Sequence, residues 1–158
     1  MARRSVDNQA RSVIRLFRAI LRAGMSIGCE VRPLFAQHDL TPPQWDVLCA
    51  LAQADPGGMM LSEISQQLLV TGGNITGLVD RLEEAGLVKR LPHPQDRRVV
   101  LAVLTERGEE VYGQVFPEYC TRLKELLGGG NPQRRAGLTE ALEQLTAEVM
   151  AARGRQFP

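Results

Sequence analysis

The sequence predicts a mainly α-helical protein with one small β hairpin, and three observations support this fold class. Apolar residues recur at three- and four-residue steps over most of the 158 residues, which is the spacing of helices that bury one face. Residues 87–91 and 98–104 have the pattern of half-buried strands, and residues 59–60 can add a minimal third strand. Two short helices precede the hairpin within residues 61–105. This order predicts a winged helix-turn-helix core, flanked by long helices at both ends of the chain.

The N-terminal part of the chain predicts a long amphipathic helix, followed by a second helix with a clear start. In the second helix Thr41 can cap the N-terminus, Pro42 occupies the first helical position and Gln44 completes a capping box. The apolar stripe of the first helix consists of Val6, Ala10, Val13, Phe17, Ile20 and Leu21. Another face carries a row of arginines, Arg11, Arg15, Arg18 and Arg22. We interpret this row as a solvated helix face.

The centre of the chain predicts a helix-turn-helix. Ser62 can cap a short helix that buries Ile64, and a tight connection leads into a second helix from Thr71. The inward face of this second helix is apolar, with Ile75, Leu78, Val79 and Leu82. Its outward residues in the first turns are small and polar, among them Asn74 and Thr76. Such a surface can approach base edges closely, because Asn can pair with adenine and Thr can reach a base or a thymine methyl group.

The hairpin predicts a wing, which is a stiff basic projection beside the second helix of the helix-turn-helix. Gly86 closes that helix, and Pro92 and Pro94 stiffen the loop between the strands. The projection is positively charged through Lys89, Arg90, Arg97 and Arg98. Asp96 lies two residues before Arg98 and can hold its guanidinium in one orientation, which suits insertion into a narrow minor groove. We therefore expect the wing to contact DNA.

The C-terminal part of the chain predicts two further helices separated by a break. A long helix extends from Thr105 to Leu127, although Pro117 lies inside it and should bend it. Residues 128–132 form the break, and they lack the Gly-Lys-Ser/Thr ending of a phosphate-binding loop. The last helix has an apolar stripe of Leu138, Leu142, Leu145 and Val149. Long terminal helices with apolar stripes and little to cover them indicate a partner subunit.

The net charge of +1 hides a strong segregation of charge along the chain. Residues 1–32 carry seven arginines against two acids, whereas residues 33–85 carry only Arg81 against seven acids. The helix-turn-helix is therefore acidic, and attraction to phosphate must come mainly from the wing, with the N-terminal arm as a second source. Gly72 and Gly73 open the second helix with bare backbone N–H groups, which either contact a phosphate directly or merely relax the turn.

Composition limits the classes of protein and of cofactor. No apolar run approaches the length of a membrane span and the N-terminus lacks a secretory signal, so we expect a cytoplasmic protein without a membrane partner. Three cysteines without a CxxC pair and two histidines without metal-ligand spacing predict no metal and no cofactor. Apolar neighbours favour buried packing roles for Cys29, Cys49 and Cys120, although polar residues begin beside Cys29. Because no nucleophile, base and metal ligands converge, we do not expect an enzyme.

The segments LTPPQWDVL, TGGNITGLVDRLEEAGLVKR and PQDRRVVLAVLTERG resemble the winged-helix core of the MarR family of bacterial transcriptional regulators. The resemblance implies one regulator unit over residues 1–158. A DNA-binding lobe would span 39–105, and dimerisation helices would span 1–38 and 106–158. It further implies a homodimer that binds an inverted-repeat operator, acts as a repressor and is released by a small molecule. The chain departs from many members by having Gly72 and Gly73 where a basic residue is common.

The residues and the resemblance together predict the site. Asn74, Thr76 and Gly77 would approach bases and Arg98 would enter the minor groove, whereas Arg81, Lys89, Arg90 and Arg97 would contact phosphates or form local ion pairs. The full set of predicted contacts to double-stranded DNA is Thr71, Gly72, Gly73, Asn74, Thr76, Gly77, Arg81, Lys89, Arg90, Asp96, Arg97 and Arg98.

The resemblance also implies an effector pocket for a small aromatic or anionic molecule between the dimer helices and the winged lobe. By position, its border would include Met25, Cys29, His38, Trp45, Asp46 and Tyr112. Two alternatives stay open. One is a winged-helix protein-assembly module without specific DNA binding, because the helix-turn-helix is acidic. The other is a regulator that senses oxidants through a cysteine.

Overall fold

The computed structural model of the chain describes residues 2–68, 72–96, 99–129 and 131–154. Within these ranges it forms six helices and three short strands, which confirms the predicted mainly α class. They are α1 (Ala2–Ala36), α2 (Pro42–Ala52), β1 (Met59–Met60), α3 (Leu61–Gln67), α4 (Gly72–Glu84), β2 (Val88–Pro92), β3 (Val100–Leu104), α5 (Glu106–Leu127) and α6 (Pro132–Gly154).

The three strands form one antiparallel sheet in the order β1-β3-β2. Met59 pairs with Ala102, and Val88 pairs with Leu104. The minimal strand predicted at residues 59–60 is therefore confirmed, and it makes β3 the central strand. Ala102 on β3 is fully buried, so the root of the hairpin belongs to the hydrophobic core.

Local hydrogen bonds explain where α2 and α3 begin. Gln44 Oε1 accepts hydrogen bonds from the backbone N–H of Thr41 at 2.9 Å and from its hydroxyl at 2.7 Å, which confirms the predicted start of α2. The predicted Ser62 cap is wrong. Helix α3 already includes Leu61, and the Glu63 carboxylate accepts from the N–H of Met60 at 2.8 Å. The end of β1 thus leads directly into α3.

Helix α4 packs through the four apolar residues predicted for its inward face. Their exposed fractions are 4% or less, for Ile75, Leu78, Val79 and Leu82. Gly86 has a φ of +71°, which favours glycine. The N–H of Leu87 bonds to the carbonyl of Leu82, and the N–H of Gly86 bonds to the carbonyl of Glu83, both at 2.9 Å. This Schellman motif confirms Gly86 as the helix stop and fixes the direction in which β2 leaves α4.

The junction between β3 and α5 explains the LTERG sequence. The Thr105 hydroxyl accepts the N–H of Gly108 at 3.0 Å and donates to the carbonyl of Gly86 at 2.6 Å. A Cβ at position 108 would lie 2.0 Å from the backbone oxygen of Leu87. Thr105 therefore caps α5 and ties it to the end of α4, and only glycine allows the close approach at position 108.

The chain forms two compact units, residues 1–119 and residues 120–158. The first contains the winged core and the end of α1, where Val31, Leu34 and Phe35 are buried. The second contains the end of α5 and all of α6. At the start of α6, Asn131 Oδ1 accepts the N–H of Gln133 at 2.9 Å, which is a helix cap.

Candidate nucleic-acid interface

The outward face of α4 has little side-chain bulk in its first half. Asn74 and Thr76 are exposed, as predicted, and the Thr76 hydroxyl donates to the carbonyl of Gly72 at 3.1 Å. A Cβ at Gly72, Gly73 or Gly77 would meet no atom of the described residues within 4 Å. Packing inside the chain therefore does not require glycine at these three positions, although each glycine lowers the helix propensity.

Arg90 on β2 connects the hairpin to α4. Its guanidinium forms ion pairs with Asp80 at 2.7 Å and with Glu83 at 2.5 Å, and it donates to the backbone carbonyl of Thr76 at 3.3 Å. The backbone N–H of Arg90 also donates to Glu83 Oε1 at 3.1 Å. This arrangement confirms the local ion pair that was one of the two predicted roles of Arg90. It also holds α4 and the hairpin in one relative orientation.

The contact with Arg90 changes the electrostatics of α4. The hydrogen bond from the Arg90 side chain, helped by the one from its backbone, lowers the pKa of Glu83 below its usual value. Glu83 therefore stays ionised and paired at neutral pH. Arg90 pairs with both Asp80 and Glu83, which are two of the seven acids counted in residues 33–85. Its charge offsets one of their two negative charges.

Hydrogen bonds join the described residues on the two sides of the wing tip. The N–H of His93 donates to the carbonyl of Val99, and the N–H of Val99 donates to the carbonyl of Asp96, both at 3.0 Å. His93 Nδ1 accepts the N–H of Gln95 at 3.2 Å. His93 is not among the predicted site residues, and its backbone and its side chain both take part in these hydrogen bonds.

The other predicted DNA-binding residues have the following positions. Lys89 on β2 is exposed, and Asp96 is exposed at the wing tip. Arg81 is exposed on α4, and it has no ion pair with Asp80 or Glu84 within the parts of the chain that the structure covers. Thr71, Arg97 and Arg98 lie outside the described residues. The orientation of Arg98 by Asp96 therefore stays a prediction.

A second feature is an aromatic cluster in the first unit. The chain has seven aromatic residues, one Trp, two Tyr and four Phe, and five of them converge here. The rings of Phe35, Trp45, Tyr112 and Phe116 follow one another at centroid distances of 5.5, 5.5 and 5.1 Å and are nearly parallel at each step. Tyr119 lies against both Phe35 and Trp45, each at 5.5 Å.

This cluster brings together only part of the predicted effector pocket. Trp45 and Tyr112 are stacked, whereas Met25 is 69% exposed and Cys29 is exposed on α1. His38 is half-buried after α1. Sequence reasoning missed three members, Phe35, Phe116 and Tyr119. The spacing of Tyr112, Phe116 and Tyr119, which places them on one face of α5, was the available signal.

One polar group in this region is buried without a partner among the described residues, and a second one, on the exposed Asp46, is desolvated by its neighbours. The Trp45 side chain is 1% exposed, and its Nε1 has no hydrogen-bond partner among the residues that the structure describes. Desolvation of the Asp46 carboxyl by neighbouring atoms raises its pKa above the usual value, although the residue is exposed at the surface. A buried indole N–H without an acceptor is unusual, because such donors are normally paired.

The exposure of the three cysteines differs in part from the prediction. Cys49 and Cys120 are half-buried, but Cys29 is exposed, so the expected burial is wrong for Cys29 in the single chain. Helix α1 exposes this side chain because only its last turns reach the core.

Among the described residues, no three His, Cys, Asp or Glu side chains form a metal-binding group. No helix in the same ranges combines the length and apolarity needed to cross a bilayer.

Helices α3 and α4, with a hairpin fixed to α4, define a winged helix-turn-helix of the DNA-binding type. Comparison with known proteins agrees with this geometry. The model of the MarR family matches residues 40–100. The HTH-type transcriptional regulator MhqR of Bacillus subtilis (strain 168) is 30% identical over 132 residues, which are 84% of this chain and 90% of that protein. The chain belongs to the MarR family and is a DNA-binding transcriptional regulator.

Solved structures show the same fold. A mutant MarR from E. coli complexed with operator DNA superposes with a TM-score of 0.77 at 28% identity, over 85% of this chain and 95% of the other. BpsR of Bordetella bronchiseptica, whose structure concerns regulation of its DNA binding by 6-hydroxynicotinic acid, gives a TM-score of 0.73 at 25% identity. That match covers 84% of this chain and 98% of the other.

Proposed function

We propose that this regulator is a cytoplasmic homodimeric repressor without enzymatic activity, which binds an inverted-repeat operator and is released by a small molecule. The observation that carries the proposal is the attachment of the hairpin to α4 through Arg90. This attachment leaves the glycine-rich first half of α4 facing outward. A helix with so little bulk can enter a major groove while the wing reaches the next minor groove.

The proposed DNA contacts divide into three roles. Asn74, Thr76 and Gly77 face base edges; the exposure of Asn74 and Thr76 on α4 and the open space around the Cβ position of the half-buried Gly77 support this role. Arg98 enters the minor groove with Asp96 beside it. The backbone donors at Thr71, Gly72 and Gly73 and the side chains of Arg81, Lys89 and Arg97 contact phosphates. The side chain of Arg90 orients the wing on α4.

Apolar surface supports the homodimer. On α1 the side chains of Val13, Leu16 and Phe17 are 62%, 54% and 60% exposed in the single chain. On α6 Leu138 and Val149 are 55% and 60% exposed. Aqueous proteins rarely leave such apolar stripes uncovered, and a second copy can cover both. A two-fold axis would place the two copies of α4 about 34 Å apart, in successive major grooves.

The effector site is proposed at the aromatic cluster, where Trp45 and Tyr112 lie. The regulation of BpsR by 6-hydroxynicotinic acid shows that a planar molecule controls DNA binding in one protein of this fold and supports the same type of control here. Binding at the junction of α1, α2 and α5 would shift the equilibrium between conformers that fit the operator and conformers that do not.

Selection of bound genomic fragments tests the proposal. The dimer should enrich fragments that share an inverted repeat, and log affinity should fall linearly with log salt, by about −0.9 per phosphate contacted. Arg98→Ala should lower the affinity for the selected operator without unfolding the protein. Arg134→Ala, which changes an exposed arginine of α6, is the matched control and should keep the affinity. If no fragment binds at low salt, the protein-assembly alternative is correct instead.

A further inference from the structure

Helix α1 carries four exposed arginines along one face, which we call the arginine row. They recur at steps of four, three and four residues, as Arg11, Arg15, Arg18 and Arg22. At about 100° and about 1.5 Å per residue, they fall within about 60° of the helix circumference and span about 16 Å. Between Asn8 and Cys29 the sequence contains no acid. The row is therefore a cationic stripe of a single sign.

A solvated helix face usually pairs its charges along the helix, as α5 does. There Arg122 and Glu125 form an ion pair at 3.0 Å, three residues apart. In the arginine row each arginine instead has another arginine three or four residues away, and like charges at these spacings destabilise a helix. Within the described residues, Arg15, Arg18 and Arg22 form no ion pair. The described part of the chain thus does not offset the repulsion among these three.

The proposed dimer leaves the arginine row accessible. The exposed apolar side chains that a second copy would cover, such as Val13 and Phe17, lie on roughly the opposite side of α1. The row also precedes the buried end of the helix, which begins at Val31. At about 1.5 Å per residue, it extends from about 13 Å to about 30 Å beyond Val31 along the axis. The row therefore projects from the winged core, and a partner on the apolar stripe does not cover it.

We propose that the arginine row is a second DNA-binding surface, which contacts the phosphate backbone of the duplex that flanks the operator. Duplex DNA is the partner of this family of regulators. One strand presents a phosphate about every 3.4 Å along the helix axis, so a row of about 16 Å faces about five phosphates with four guanidiniums. The charge densities of the two surfaces are therefore similar. Contacts to phosphate carry no sequence information, and the row supplies affinity rather than specificity.

The flank of the bound operator is the DNA within reach of the row. Helix α4 and the row belong to one compact unit, residues 1–119, so DNA held by α4 presents its flanks at a high effective concentration. The far end of the row lies about 30 Å from the core, which is less than one turn of DNA, about 34 Å. A separate duplex would have to be recruited from solution. The inference needs the DNA binding that the family shows, and not the proposed repression or effector control.

The salt dependence of DNA affinity tests the inference. The double variant Arg15→Gln with Arg18→Gln removes two charges from the row and keeps good helix formers. On an operator extended by about two helical turns at each end, its log–log salt slope should be flatter than the wild-type slope, by about 1.8 for each protomer that engages. On the operator without extensions the two slopes should agree. Arg107→Gln with Arg134→Gln removes the same charge from exposed positions on α5 and α6, and it should keep the wild-type slope on both duplexes.

Three outcomes overturn the inference. The first is a row variant that matches wild type on the extended duplex. The second is a variant whose dimer dissociates more readily in sedimentation, because the row would then be a contact between subunits. The third is a separate, differently labelled duplex that migrates with the wild-type complex and not with the variant, which would assign the row to a second DNA molecule. If the double variant does not fold, Arg18→Gln alone should show about half the change in slope. Wild-type binding to the short operator is measured in parallel, so its loss counts against the proposed function and not against the row.

Discussion

Replacing Arg90 by glutamine separates the two roles that a wing arginine can have, contact with a phosphate and attachment of the wing to the recognition helix. In the structure the guanidinium binds Asp80 and Glu83. The three side chains are 23%, 51% and 41% exposed in that order, so solvent screens both pairs. Exposed pairs contribute about 0.2–1 kcal/mol each, and Arg90→Gln should therefore lower the free energy of unfolding by only about 1 kcal/mol.

The loss of DNA-binding free energy should be of similar size. The wild-type group of Asp80, Glu83 and Arg90 carries a net charge of −1, and the variant carries −2. One extra negative charge about 8 Å from a phosphate costs about 0.5 kcal/mol in water, and two or three phosphates lie within a Debye length of about 10 Å. We expect a loss of about 1 kcal/mol after screening, which is about a fivefold increase in Kd.

Fluorescence anisotropy with a labelled operator, at several salt concentrations, measures this loss. The double variant Arg90→Gln with Glu83→Gln restores the net charge to −1, and it should regain most of the affinity. Lys89→Gln is the matched comparison on the same strand. Because Lys89 is proposed to contact a phosphate, its variant should flatten the log–log salt slope by about 0.9, and adding Glu83→Gln should not restore that slope. If Arg90→Gln behaves like Lys89→Gln, the attachment role assigned to Arg90 is wrong.

Three further predictions follow from individual positions. Gly77→Ala should raise the free energy of unfolding by about 0.5–1 kcal/mol, because a Cβ there meets no described atom and alanine has the higher helix propensity. The same variant should weaken operator binding, because the added methyl group would lie against the DNA. Thermal melts measure the first effect and fluorescence anisotropy the second, and an unchanged affinity contradicts the close approach of Gly77 to DNA. Gly108→Ala should destabilise by about 1–3 kcal/mol in urea unfolding, because its Cβ meets Leu87 O at 2.0 Å, whereas Gly113→Ala meets no described atom and should not destabilise. The lowered pKa of Glu83 means that its stabilising contribution is present above its unfolded pKa and is lost as pH falls through the folded value. Acid titration of Glu83→Gln should therefore show a smaller loss of stability than wild type.

Local rules account for what the sequence could predict. The apolar spacing in α4 identified all four of its buried residues, because a helix with one inward face leaves little choice. Gln44 and Gly86 were identified correctly, since helix caps depend on residues three or four positions apart. The Ser62 cap failed for a related reason. Glu63 accepts a hydrogen bond at the N-terminus of a helix that starts directly after β1, and the sequence alone does not show where that strand ends.

Contacts between distant segments account for what the sequence could not predict. The aromatic cluster joins residues near 35, 45 and 115 of the chain, and no periodicity connects them. The exposure of Cys29 was also missed. Neighbouring residues in α1 are apolar, but they form a stripe that the chain does not cover by itself. Apolar neighbours along the sequence therefore predict the burial of a residue only where other elements of the same chain pack against it.

The position of Arg90 changes the electrostatic argument about DNA binding. Counted along the sequence, Arg90 is one of four wing cations, and α4 carries three acids against Arg81. In the structure its charge is directed toward two of those acids, which makes α4 less repulsive and the wing less basic at once. In the proposed interface, attraction to phosphate would then come from Lys89, from Arg97 and Arg98, and from the backbone donors at the start of α4. In the proposed complex, α4 enters a groove with less repulsion because an arginine of the hairpin offsets one of its negative charges, so the position of the wing affects the charge of the helix.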